Sequence, residues 1–149
     1  MSFLQVGYTL ICALFFALLE IQIEGDGGWA KNLPCWRIKN PLRKIIGWKE
    51  ITGYHVFFWV LFFLFFHFPF FFGFDFNLNN ELIILELLFL FLFVEDFFWF
   101  VFNPSWGIKK FFKKEIPWHP KKILFFPQNY WIGFLTLLLI DFLRRLAFS

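Results

Sequence analysis

The chain has 149 residues and a mass of 18.2 kDa, with 60% hydrophobic residues, a mean hydropathy of +0.65 and a formal net charge of +3. A soluble fold of this size has too little interior to hide so much apolar side chain, which excludes an ordinary soluble domain and predicts a single all-α membrane domain over residues 1–149. The Lys and Arg residues divide as six in residues 24–53, six in residues 104–127 and two at Arg144 and Arg145. Basic loops pinned between apolar runs suit anionic lipid headgroups and lack the folded, base-stacking surface that nucleic acid needs, so lipid is an expected partner and nucleic acid is not.

The first predicted span covers about residues 6–23 and stops at Gly25, Gly27 and Gly28, just past Glu24. No basic segment precedes it and no small-residue cleavage pattern follows, so it reads as a retained span and not as a signal peptide. Thr52 is placed to cap a second span over about residues 54–72, whose last turn Pro69 bends and Gly73 ends. The third span, about residues 82–102, has Asn79 or Asn80 as its cap and Glu81 in its first turn, and its length of about 31 Å suffices for one crossing. A fourth, shorter span follows Asn129, Tyr130 and Trp131 over about residues 129–143 and gives way to Arg144 and Arg145. Four crossings put both basic loops on one face and both termini on the other, and the positive-inside rule assigns the loops to the cytoplasm.

Each basic loop also carries a predicted interfacial amphipathic helix. In the first, Asn40 and Pro41 supply a cap and an N1 proline, and Leu42, Ile45 and Ile46 share a face. In the second, Ile108, Phe111 and Phe112 repeat that spacing among Lys109, Lys110, Lys113 and Lys114. The chain therefore reads as two successive hairpins of similar plan, a pattern that a parallel duplication would also give.

Ionisable residues inside a span cost roughly 2.5 to 3.5 kcal/mol each on insertion scales, so their placement asks for a reason. Glu20 and Glu24 lie one helical turn apart near the cytoplasmic end of the first span, and the adjacent Glu95 and Asp96 lie about 10 Å inside the third. His55 opens the second span from the same side, and His119 lies in the second loop beside Pro117, Trp118 and Pro120. A four-helix bundle can bring these groups together as a site for a divalent metal such as iron, manganese or zinc. The expected metal ligands are Glu20, His55, Glu95, Asp96 and His119, with Glu95, Asp96 and His119 also the expected catalytic acids or bases. The Glu-x-x-His spacing of bundle dimetal sites is absent, because Glu20, Glu86 and Glu95 are followed three residues later by Ile23, Phe89 and Phe98.

The remaining polar groups have plainer expectations. Glu24, Asp26 and Glu50 are expected to pair with basic residues at the rim, and His67 to hydrogen-bond a neighbour inside the bundle. Glu86 and Glu95 lie nine residues apart on opposite helix faces, so no single line of acids crosses the third span. Trp29, Trp36, Trp48, Trp106, Trp118 and Trp131 are expected to form an interfacial belt, whereas Trp99 is placed to donate to Glu95 or Asp96. Cys12 in a span and Cys35 in a loop predict neither a disulfide nor a zinc site. The glycine-rich turn after Glu24 has no phosphate-loop spacing, and Ser2, Ser105 and Ser149 form no nucleophile triad.

Two function classes remain open from sequence. One is a membrane protein with a carboxylate and histidine site near the cytoplasmic face, binding a metal or acting on a membrane-embedded substrate. The other is a non-catalytic accessory or assembly subunit, in a larger complex or a homo-oligomer, whose acids pair between subunits. Side chains converging within one chain favour the first, and acids facing outward favour the second.

Overall fold

The computed structural model describes residues 1–112, 116–119 and 121–148, with the side chain of Ile46 also outside the description. Lys113 and Lys114 of the second basic segment, Pro120 beside His119, and Ser149 lie outside the described residues. The chain is mostly helical. Helix α1 (Phe3–Glu24) leads through strand β1 (Arg37–Lys39), the single turn α2 (Arg43–Ile46) and strand β2 (Glu50–Thr52) into α3 (Gly53–His67), which continues as a 3-10 turn over Phe68–Phe72. Helix α4 (Leu78–Phe102), the short α5 (Gly107–Phe112), strands β3 (Lys122–Ile123) and β4 (Phe126–Pro127), and α6 (Gln128–Phe148) complete it.

Local chemistry sets most of these boundaries. Ser2 and Gln5 form a reciprocal capping box, with Ser2 Oγ accepting from Gln5 N and Gln5 Oε1 from Ser2 N, and this starts α1 at Phe3, ahead of the expected boundary. Gly25 caps its end as expected. Thr52 accepts from His55 N to cap α3, and Pro69, which cannot continue an α-helix, turns the end of that stretch into 3-10 geometry before Gly73 at φ 91°. The cap of α4 is Asn77, not Asn79 or Asn80: its side chain accepts from Asn80 N, and α4 starts at Leu78.

Of the four expected spans, α1 and the stretch Gly53–Phe72 are long and apolar enough to cross a membrane. The helices α4 and α6 are longer still than the minimum, but every stretch of eighteen residues within either holds at least three ionisable residues, so length and composition alone do not mark them. Nor do Arg144 and Arg145 end the fourth helix, which runs on to Phe148.

The loops differ from expectation more than the helices do. Besides the short helices α2 and α5 they hold two antiparallel ribbons that were not expected, β1 with β2 (Arg37 opposite Thr52) and β3 with β4 (Lys122 opposite Pro127). Asn40 Oδ1 accepts from Leu42 N in a local turn and its Nδ2 donates to Trp48 O, so Asn40 and Pro41 close a loop and α2 shrinks to one turn ended by left-handed Gly47. In α5, Ile108 and Phe112 are exposed but Phe111 is fully buried, so the expected stripe is split between surface and core. The capping turns and ribbons satisfy the backbone where longer helices would have left their ends open.

Helix α4 is the centre of the bundle. It packs chiefly on α1, next on α6, and also on α3 and α5. On α1 the buried residues Thr9, Ala13, Ala17, Glu20 and Glu24 form one stripe at helical spacing, small for the first three positions, which lets the two backbones approach closely. On α4, Ile84, Leu88, Phe91, Glu95 and Trp99 answer it. On the α6 side, Glu86, whose side chain is fully buried, accepts from Arg144 Nε at 2.7 Å, and Arg144 also reaches Asp141 at 2.9 Å. This network, anchored on the buried Glu86, ties α4 to α6. Arg144→Met should therefore lower stability by about 3 to 5 kcal/mol by stranding Glu86, and pairing it with Glu86→Gln should recover much of the loss. Thermal unfolding in detergent checks this, with exposed Arg145→Met as the control; equal effects of the two Arg changes would remove the network's role.

Candidate functional site: a carboxylate and histidine cavity

All five residues chosen from sequence, Glu20, His55, Glu95, Asp96 and His119, line one cavity of about 370 Å³ at the ribbon end of the bundle. Each arrives by a distinct piece of local structure. Glu20 and Glu24 extend the small-residue stripe of α1, so the packing that seats α1 on α4 also turns both acids inward. Hydrogen bonds hold the register there: Asn103 Nδ2 donates to Gly25 O at 2.8 Å and Trp106 Nε1 to Asp26 O at 3.1 Å, joining the end of α1 to the end of α4.

Glu24 is the main correction to the sequence reading. It is buried, not paired at the rim, and its Oε1 accepts from Ala30 N across a turn in which Trp29 and Ala30 both take positive φ, 52° and 53°. Such backbone is unfavourable for residues with a Cβ and persists only where neighbours fix it. Arg37 does so here, donating to the carbonyls of Ala30 and Trp29 from β1. The spacing of four from Glu20 was the available signal. Asp26 and Glu50 are both exposed, and Glu50 faces Arg37 at 3.6 Å as expected, whereas Asp26 makes no ion pair among the described residues.

His55 is placed by the cap of α3. Thr52 Oγ1, besides capping the helix, lies 2.6 Å from His55 Nδ1, which leaves Nε2 pointing at Glu24 Oε1, 3.8 Å away. Trp29 covers the imidazole face, with ring centroids 4.1 Å apart and planes 23° from parallel, and its Nε1 is tied to Glu50 O. One ligand atom from each of Glu20, Glu24 and His55 falls within 4.8 Å of the others, and all three residues are buried. If Nδ1–H is donated to Thr52, Nε2 has its lone pair free for a ligand.

The two acids of α4 separate. Glu95 turns toward α1, beside Glu20, with the Tyr54 hydroxyl also next to Glu20. Asp96 turns toward α6, where its Oδ2 accepts from the Tyr130 hydroxyl and lies 3.6 Å from His119 Nε2. Glu95, Asp96 and His119 thus share the cavity but stand outside the tight group of Glu20, Glu24 and His55. Tyr130, the third residue of α6, is a site residue that interfacial placement alone had hidden.

The expectations for the tryptophans fail here for a common reason, the density of aromatic packing, while His67 has the hydrogen-bonded neighbour expected of it. Trp29 and Trp48 line the cavity, and Trp118 is buried in the core with Trp106 against it, so these four do not form a lipid belt. Trp99 Nε1 is buried with no hydrogen-bond partner among the described residues and does not serve Glu95 or Asp96. His67 lies elsewhere, bonded to Phe63 O and paired with Glu81 at 3.0 Å, and Glu86 is held by Arg144.

Close packing also makes Gly28 a sensitive position. It has φ +45°, and a Cβ there would lie 2.2 Å from Trp118 Cη2, on the residue next to His119. Gly28→Ala should destabilise the fold by about 1 to 3 kcal/mol through this overlap and the strained φ, and should change the tryptophan emission spectrum. Gly7→Ala, where a Cβ meets nothing within 4 Å, is the matched control for the unfolding measurement.

No protein-family model matches the chain, and neither a curated protein nor a solved structure does, so the site stands on its own geometry.

Proposed function

We propose that the chain is an integral membrane protein with four crossings whose cavity binds a divalent metal ion on Glu20, Glu24 and His55, close to the cytoplasmic face, for action on a membrane-embedded substrate. The observation that carries this reading is the convergence of those three buried side chains from two helices to within 4.8 Å. Two carboxylates and an imidazole suit iron, manganese or zinc. The acids face into one chain, which supports a site over pairing between subunits.

Support for the membrane comes from where apolar surface lies. Only 28% of the most apolar part of α1 and 11% of that of the stretch Gly53–Phe72 are buried in the fold, the reverse of a soluble core helix, and Phe15, Phe57, Leu61 and Leu64 face outward. Leu135, Leu138, Leu139 and Phe142 give α6 a similar outer face. On helix α4, Glu86 and Glu95 are buried in protein and the partly exposed Asp96 lines the cavity, which spares these acids contact with lipid. The exposed Arg43, Lys44, Lys109 and Lys110 are suited to anionic headgroups on the cytoplasmic side. Away from the acids the cavity wall becomes Leu92, Phe93, Ile132 and Gly133, which suits an apolar substrate, with Glu95, Asp96 and His119 available for proton transfer.

Metal analysis of the detergent-purified chain after exposure to iron, manganese and zinc salts tests the site. Bound metal above background is expected, and Glu24→Gln should abolish most of it. Thr52→Val, which removes the partner of His55 Nδ1 while keeping side-chain shape, should weaken affinity by roughly 10- to 100-fold. Background metal in the unaltered protein would reject the reading.

Topology is tested separately. A reporter at the C-terminus should lie outside the cytoplasm, and one inserted after Lys109 inside it. Both reporters on the same side would remove the four-span arrangement and leave the metal site to be judged alone.

A further inference from the structure

The other half of the cavity has the properties of a second metal position, and we infer that the site is dinuclear, with Asp96, His119 and Glu95 holding a second divalent cation beside the one on Glu20, Glu24 and His55. This rests on the metal-binding reading above and extends it.

The first observation is His119. Its side chain is only 1% exposed, it lines the cavity, and neither ring nitrogen has a hydrogen-bond partner among the described residues. A buried imidazole always carries at least one N–H and, when neutral, one lone pair, and both normally find partners. The nearest acid atom, Asp96 Oδ2, lies at 3.6 Å from Nε2, too far for a hydrogen bond. That separation matches two ligands of one ion, since atoms about 2.0 to 2.2 Å from a tetrahedral centre stand about 3.3 to 3.6 Å apart. Coordination through one nitrogen uses the lone pair that the fold leaves unpartnered.

Glu95 provides the second. Its Oε1 is buried with no hydrogen-bond partner among the described residues, and it stands beside Glu20 on one side and follows directly into Asp96 on the other. Consecutive helical residues point about 100° apart, so α4 directs Asp96 to the His119 half of the cavity and Glu95 toward Glu20, and Glu95 is the carboxylate that would bridge two ions. Charge supplies the third. Four carboxylates line the cavity, Glu20, Glu24, Glu95 and Asp96, and no Lys or Arg is among the described residues lining it. Two divalent cations would balance four ionised carboxylates, whereas one would leave a net negative charge.

The test uses the full chain in detergent, stripped with a chelator and reloaded with manganese(II) alone. Metal per chain is measured by elemental analysis, and coupling between ions by electron paramagnetic resonance. The expected result is two manganese ions per chain with an exchange-coupled spectrum. His119→Ala and Asp96→Asn, each checked for unchanged helix content and elution volume, should each bind one ion with an uncoupled spectrum. One ion per chain in the unaltered protein would overturn the dinuclear site and leave the proposed function standing. None would overturn both. The unaltered stoichiometry decides the matter even where a variant fails to fold.

Discussion

The close approach of α1 to α4 is the contact on which the cavity depends. Thr9, Ala13 and Ala17 present almost no side chain to α4, so the helices meet near their backbones, and Glu20 and Glu24 at the end of the same stripe are carried into the interior whatever their own solvation favours. A larger side chain at Ala13 or Ala17, both fully buried, would separate the helices and swing the acids away from Glu95. The packing that is cheapest along the apolar part of the stripe therefore fixes the polar part. The carbonyls of Gly25 and Asp26, held from α4 by Asn103 and from the following loop by Trp106, stop the end of α1 from fraying and losing that register.

The loops deliver the rest of the site by a shared device. In each, a short antiparallel ribbon ends directly at the first turn of the next helix, and the third residue of that helix is a ring-bearing site residue: His55 after β2, Tyr130 after β4. A ribbon is a stiffer lead-in than an irregular loop, because cross-strand hydrogen bonds fix the direction in which the chain enters the helix. The two loops also brace one another, with Lys121 Nζ donating to Lys44 O and Gln128 Nε2 to Ile45 O. Functional groups held by rigid elements on two sides of a cavity can keep ligand geometry without help from solvent.

The helices were legible in the sequence because apolar runs of that length have few alternatives, and Thr52, Gly25 and Pro69 acted as their chemistry predicts. The convergence of Glu20, His55, Glu95, Asp96 and His119 on one cavity was foreseeable from the matched depth of Glu20 and the Glu95–Asp96 pair and from two histidines entering from the same side. Glu24 was misread because a residue one turn from a helix end normally reaches water, and nothing local announces that a turn through left-handed Trp29 and Ala30 will fold back over it. The ribbons were missed because two or three residues per strand give no detectable alternation. The tryptophans were misassigned because interfacial preference and core packing both favour large aromatic rings at helix ends, and only tertiary contacts separate the two.

The distribution of charge through the bundle separates structure from site. At one end of α4 the acids each pair with a basic side chain: Glu86 and Asp141 meet Arg144, Arg145 meets Asp141, and Glu81 meets His67. At the other, four carboxylates gather with two histidines and two tyrosines beside them, while Arg37 is committed to Glu50 and the carbonyls of Trp29 and Ala30. Both ends are built from the same helices under the same solvation penalty, so the contrast does not follow from a general tolerance of buried acids. Among the described residues, buried carboxylate oxygens without a hydrogen-bond partner occur at both ends, Glu81 Oε2 and Glu86 Oε2 at one and Glu95 Oε1 at the other, so what sets the cavity end apart is that its acids gather around His55 and His119 with no Lys or Arg among the described residues lining it.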